Sequence, residues 1–403
     1  MASHLNRQSA LRQRFKQFLI IIVWLIAIIL LLELGLRLFV RGLPPSLQEA
    51  AYITMNGVPF PESWDRAWTR QPDHYFILKP GLVDAVQFGS PSVRFHVSTI
   101  ELWEGGGIGF RTRPVDYFVD VIALGDSFTF CFTERADCWV TRFEADTELG
   151  VVNLGQPGTG SHSHWLILRD FGKPLRPRLV LWQFFGNDFN DDYGLFKARG
   201  ELPLLEDVAS PDSDAEASET RLWLRKQSVL YAVLESVLPG WRRFRDPNMA
   251  KFDERYAATL PTGEQLRFGQ RYEPSAMDMS RAVNQAGYEI ASAALSKAQA
   301  LVSSWGGQLI ILIIPTREEV YESLTATALG RDLAAIRSAR LAMLKLCAEL
   351  NLVCYNALAD MQQQAEKSQL LYYADDLHLN PLGNRVFAEL LRDHLRAGGM
   401  LDA

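Results

Sequence analysis

Between about residues 117 and 356 the chain alternates short apolar runs with longer amphipathic segments, and this alternation limits the possible folds most. The runs are "FVDVIAL", "GVVNLG", "RLVLWQFFGN", "QLIILIIP" and "LVCYNA". Short, nearly continuous apolar runs of this kind read as strands buried on both faces. The segments between them read as helices. One covers about 137–148, and "HSHWLILRDFG" follows with Gly172 as its stop. "NQAGYEIASAALSKAQALVSSWG" ends at Gly306, and "RDLAAIRSARLAMLKLCAELN" and "PLGNRVFAELLRDHLR" complete the set. Strands that alternate with helices predict an α/β domain whose parallel sheet of five strands has helices on both faces.

The N-terminal segment belongs to another solvent. "FLIIIVWLIAIILLLELGLRLFV", Phe18 to Val40, would span ~34 Å as a helix, enough for a bilayer core. Glu33 and Arg37 are four apart and can pair on one face, with Arg37 snorkelling toward the headgroups. A cleaved signal peptide is the competing reading. No small-residue cleavage motif closes the run, which favours a signal-anchor over 18–40. Arg7, Arg12, Arg14 and Lys16 precede it without an acid. That places 1–17 in the cytoplasm as a basic tail and exports the rest as a single-pass membrane protein. Residues 1–41 carry +5 and the remainder −11. An acidic body excludes nucleic acid as a partner, because phosphate binding needs clustered Lys and Arg.

Cysteine usage fits export. Cys131 with Cys138, and Cys347 with Cys354, form two local pairs. In an oxidising compartment they predict two disulfides, with reduced buried thiols as the plain alternative. Neither pair has the tight spacing of a zinc site. Residues 41–116 read as a stalk and irregular lead-in, and "EGGGIGF" there fails the dinucleotide-binding spacing because Phe110 replaces the last glycine. The domain then runs over 117–399, interrupted by an insertion at about 193–285. Within it "LEDVASPDSDAEASETR" reads as an acidic loop. "RLWLRKQSVLYAVLESVLPGWRRFR" reads as a helix that packs on the domain, covers the site as a lid, or lies on a membrane surface.

Four polar stretches follow predicted strands: Gly125-Asp126-Ser127, Gly155-Gln156-Pro157-Gly158, Gly186-Asn187-Asp188 and Asp375-Asp376-Leu377-His378. In an open parallel sheet, ligands bind beyond the carboxyl ends of the strands, so all four converge on one edge. The chemistry they suit is acyl transfer through a serine. Ser127 needs an adjacent base, and His378 is the candidate. Asp375 and Asp376 compete to orient the imidazole; i, i+3 spacing in a helical turn selects Asp375. The backbone N–H groups of Ser127 and Gly158 and the Asn187 amide are candidate oxyanion donors. The plain alternatives are a helix cap for Ser127 and an Asx turn for Asn187 and Asp188.

The ordered set "GDSF", "NLGQPG", "FFGND" and "DDLHLN" resembles the four blocks of the SGNH (GDSL-like) hydrolase family. Phe128 stands where that family usually has leucine. The resemblance covers about 117–192 and 286–396. It implies a flavodoxin-like three-layer sandwich with strand order 2-1-3-4-5. It implies Ser127, Asp375 and His378 as the triad, and Ser127, Gly158 and Asn187 as the oxyanion hole. Ester hydrolysis or acyl transfer would proceed with no metal and no cofactor. The membrane tether and "IIPTREEVY" look like bacterial envelope members that handle acyl groups on polysaccharides.

Other constellations carry less. "NDFNDDYG" lacks the glycine and the final glutamate of a calcium loop and reads as a solvated acidic loop. His162 and His164 lack a third metal ligand at fixed spacing. Thr129 replaces the second glycine of a nucleophile elbow. The residues therefore predict an exported serine esterase, and the resemblance implies an acetyl or other short acyl ester on an envelope glycan, a carbohydrate, as its substrate. An O-acyltransferase, a lipase or lysophospholipase, and a non-catalytic glycan-binding assembly protein are the rivals.

Overall fold

The computed structural model describes residues 2–43, 47, 51, 54–55, 67–69, 77–88, 93–202, 205, 223–224, 227–234, 257–268, 272–367 and 369–401. The chain forms two compact units, Met1–Asp65 with Pro211–Ala250, and Arg66–Ser210 with Lys251–Ala403.

The first unit is built on helix α1, Ala2–Leu38. Its stretch Arg14–Leu38 is long and apolar enough, by length and composition, to cross a membrane. Trp24, Leu31 and their apolar neighbours on this stretch are exposed. Arg37 Nε donates to Glu33 Oε1 at 2.7 Å, the predicted pairing. Glu33 also accepts from the backbone N–H groups of Val229 and Leu230 at 2.9 and 2.8 Å and from Ser228 Oγ–H at 2.9 Å. Of the long helix expected over 221–245, only 223–224 and 227–234 lie within the described residues, and the acidic loop lies outside them except for Leu205.

The second unit opens with two antiparallel hairpins, β1 (Trp68–Thr69) with β2 (Ile77–Leu78), and β3 (Ala85–Phe88) with β4 (Arg94–Val97). The alternating half follows: β5 (Val121–Leu124), α2 (Ser127–Phe130), α3 (Trp139–Thr147), β6 (Val151–Asn153), α4 (Ser161–Ile167), β7 (Leu179–Phe184) and α5 (Asp188–Ala198). A third hairpin joins β8 (Ala257–Thr259) to β9 (Gln265–Arg267). Then come α6 (Tyr272–Met277), α7 (Ala282–Ser303), β10 (Gln308–Ile313), α8 (Arg317–Val320), α9 (Glu322–Leu329), α10 (Arg331–Glu349), β11 (Val353–Asn356), α11 (Leu358–Ala365) and α12 (Pro381–Ala397).

The main sheet runs β6-β5-β7-β10-β11, and every pairing in it is parallel. Counted along the chain, its strands stand in the order second, first, third, fourth, fifth. Successive side chains of a strand point to opposite faces. All six residues of β7 and all four of β5 are buried, so both faces of the sheet are covered.

Two sequence expectations are corrected here. The region from Ile77 onward is part of the domain and not a stalk. Ile77, Ile108 and Phe110 belong to the same buried cluster as β5 and β7. Gln156 Oε1 accepts from Leu78 N–H at 2.9 Å, and Gln156 Nε2 donates to Gly109 O at 2.9 Å. The apolar groups of these short strands need cover, and the main domain supplies it. Likewise "NDFNDDYG" is no solvated loop. It forms α5, with Asp188 and Asp192 fully buried. Phe189 and Tyr193, four apart, turn one face of α5 into the core.

Helix α7 packs closely against α5 because residue 287 is glycine. A Cβ there would collide with the Phe189 carbonyl oxygen. Gly287→Val is therefore expected to destabilise the chain by about 1–3 kcal/mol. Thermal unfolding checks this: a midpoint several degrees lower is expected, and an unchanged midpoint refutes the close packing.

Candidate active site

Strand β5 delivers Gly125, Asp126 and Ser127 to the carboxyl edge of the sheet. A Cβ on Gly125 would run into Thr129 Oγ1 and Gln183 Oε1, so only glycine fits the turn. Asp126, not Ser127, caps α2: its Oδ1 accepts from Phe128 N–H at 2.9 Å. Ser127 is the first helical residue, and its hydroxyl, 3.5 Å from Asp126 Oδ2, takes no part in the cap. Gln183 on β7 holds the turn from below, accepting from Asp126 N–H at 3.1 Å and Thr129 Oγ1–H at 3.0 Å. Asn153 on β6 donates to Thr129 O at 2.8 Å and accepts from Gly155 N–H at 2.9 Å.

Ser127 Oγ lies 2.8 Å from His378 Nε2, although the two residues are 251 apart in the chain. His378 Nδ1 lies 2.5 Å from Asp376 Oδ1. A carboxylate only accepts, so the ring proton sits on Nδ1 and Nε2 is free to accept from the serine hydroxyl. Asp376 therefore replaces Asp375 as the partner of His378. Side chains at i, i+3 meet in a helical turn, whereas residues 374–378 form a bend closed by the Tyr372–Leu379 bridge. There the carboxylate two residues back faces the imidazole, and its Oδ1 also accepts from His378 N–H at 3.0 Å. After the bend, Asn380 caps α12 by accepting from Gly383 N–H at 2.8 Å, with Pro381 at its first position.

Gly158 and Asn187 follow the carboxyl ends of β6 and β7 at the same sheet edge. Gly158, after β6, has φ +67°, a conformation that favours glycine, and is exposed. Asn187 follows β7 and starts α5; its Nδ2 donates to Asp191 Oδ2 at 2.8 Å. The two cysteine pairs are disulfides, with Cα–Cα separations of 5.4 Å for Cys131–Cys138 and 6.4 Å for Cys347–Cys354. His162 packs edge-on to Phe196, and His164 is buried with Nε2 3.1 Å from Thr159 Oγ1.

Three contributors went unpredicted. Phe132 stacks on the His378 ring, with centroids 4.0 Å apart and planes within 2°. Gln183 is a polar residue inside an apolar run, which was a legible signal. The third is a set of buried carboxylates near the nucleophile turn. Burial pushes Asp126 up to about 6 from an ordinary 3.8, partly offset by its bond from Phe128 N–H and by His378. Burial and the charge of Asp126 push Asp191 up to about 7. Asp188 and Asp192 are also raised, by burial first.

These shifts fix a sign. Between the ordinary and the raised values the folded chain holds protons that the unfolded chain has released, so stability falls as pH rises through about 4 to 7. The thermal midpoint of the full chain in detergent is expected to rise when the pH drops from 8 to 5.5. A midpoint that falls over that range contradicts the buried-acid assignment.

No family model matches this chain, and no curated protein matches it. Solved structures do. LAE5, an α/β hydrolase enzyme from the Lake Arreo metagenome, is 14% identical over 70% of this chain and 96% of its own, with a TM-score of 0.36. A lipase/acylhydrolase from Enterococcus faecalis is 12% identical over 69% of this chain and 96% of its own, with a TM-score of 0.36. An acetylxylan esterase from Geobacillus stearothermophilus is 14% identical over 68% of this chain and 92% of its own, with a TM-score of 0.35.

Proposed function

We propose that this chain is a serine esterase of the SGNH type, exported and held at a membrane by α1. The observation that carries this reading is the unbroken hydrogen-bonded line Ser127–His378–Asp376 at the carboxyl edge of a parallel sheet.

The Ser127–His378–Asp376 contacts support the following mechanism, with the oxyanion donors that the sequence resemblance implies. Ser127 Oγ attacks the ester carbonyl while His378 Nε2 takes its proton. Asp376 keeps the ring in the accepting tautomer and stabilises the imidazolium that forms. The oxyanion receives donors from Ser127 N–H, Gly158 N–H and the Asn187 amide, each contributing on the order of 10²–10³ in rate. Collapse breaks the ester C–O bond, and His378 returns the proton to the departing alcohol. A second hydroxyl then attacks the acyl-serine with His378 again as base. Water gives hydrolysis; a sugar hydroxyl gives transfer.

The favoured substrate is an acetyl ester on an envelope glycan, supported by the sequence resemblance and by the apolar helix α1. The test is a panel of p-nitrophenyl esters from acetyl to palmitoyl, followed by acetylated glycans. Preference for acetyl with acetate released from glycan supports the reading. Preference for long chains makes the protein a lipase instead. Acetyl appearing on an added sugar, not in water, makes it a transferase.

A further inference from the structure

Arg111 is buried, and the four hydrogen bonds its guanidinium donates end on backbone carbonyls. Nη1 reaches Phe130 O at 3.2 Å and Cys131 O at 2.6 Å; Nη2 reaches Thr133 O at 2.6 Å and His96 O at 2.8 Å. The guanidinium also lies 5.3 and 5.1 Å from the ring centres of Phe95 and Phe130. Three of these acceptors come from the four residues that follow the nucleophile turn. The fourth carbonyl of that stretch, Phe132 O, accepts from Tyr373 O–H at 2.8 Å. Every carbonyl from 130 to 133 is thus held by a side chain. Cys131 has φ +66° and is tied to Cys138, which ends α2 sharply and starts the loop. What the loop presents to the site is the ring of Phe132, flat against His378.

A loop clamped at each carbonyl is a rigid mount. The bonds to Asp376 and Ser127 act at the two ring nitrogens of His378 and so fix mainly the line between those atoms. Rotation of the ring about that line remains soft. A parallel aromatic plate opposes that rotation.

We propose that Phe132, mounted by Arg111 and Tyr373 through the backbone of residues 130–133, is a positioning residue that fixes the plane of the His378 imidazole for proton transfer. The proposal rests on His378 being the general base, and its test separates the two claims. The full chain in detergent carries Phe132→Leu, Phe132→Tyr, Tyr373→Phe or Arg111→Lys. Turnover of p-nitrophenyl acetate is measured, together with the ¹³C-histidine NMR signals of His378, assigned by loss in His378→Gln.

Phe132→Leu is expected to lower kcat about tenfold with KM within about twofold, because misplacing a reacting group costs rate more than binding. The His378 ring signals move as the ring current of Phe132 is lost. Phe132→Tyr keeps the plate and restores kcat to within about twofold. Tyr373→Phe and Arg111→Lys shift the His378 signals in the same direction as Phe132→Leu. Wild-type kcat in Phe132→Leu overturns the proposal. So does activity lost in Tyr373→Phe or Arg111→Lys with His378 signals at their wild-type positions, since that is a structural effect alone. The Phe132 pair decides the matter if Arg111→Lys fails to fold. Full activity in His378→Gln removes the base assignment instead, and the NMR comparison, which needs no turnover, shows which claim failed.

Discussion

Ser127→Ala leaves a folded chain that turns over p-nitrophenyl acetate at least about 10³-fold more slowly than wild type. The hydroxyl is the only atom lost, and it is the atom that would bond to the acyl carbon. Folding survives because Asp126, not Ser127, caps α2. The bonds that hold the turn use Gln183, Asn153 and the backbone, none of which the substitution touches. Circular dichroism and the thermal midpoint check the fold, and the residual rate checks the chemistry. Activity within about tenfold of wild type would end the covalent mechanism.

Asp376→Asn is expected to lower kcat by roughly 10²–10⁴-fold. An asparagine amide can donate to Nδ1, which then has to accept, so the proton moves to Nε2 and the ring can no longer take one from Ser127. The carboxylate charge that would stabilise the imidazolium is lost as well. Asp375→Asn, one residue away, is expected to change kcat by no more than about twofold. Comparing kcat for the two variants tests the geometry at single-residue resolution. The reverse ranking would restore Asp375 as the orienting acid.

That ranking shows where sequence reading reached its limit. The order of strands and helices was legible because uninterrupted apolar runs between amphipathic segments have few other solutions. Ser127 and His378 were legible because turn chemistry at strand ends converges in such a sheet. The choice between two adjacent aspartates was not, because it depends on whether 374–378 makes a helical turn or a bend. Only the bridge between Tyr372 and Leu379, together with the cap at Asn380, decides that. Helix α5 was hidden by its acids, since a row of Asp and Asn mimics a solvated turn. The spacing of Phe189 and Tyr193 was the contrary signal. The lead-in was hidden by its brevity, although Val93, Phe95 and Val97 alternate as a half-buried strand should. Phe132 gave no sequence signal at all, because its role depends on a ring from the other end of the chain.

The most direct measurement treats the purified full chain with a fluorophosphonate and locates the adduct by mass spectrometry of its peptides. One covalent adduct is expected, on Ser127, formed slowly or not at all in His378→Gln and Asp376→Asn. An adduct on another residue, or an unmodified Ser127 in a folded wild-type chain, would contradict it.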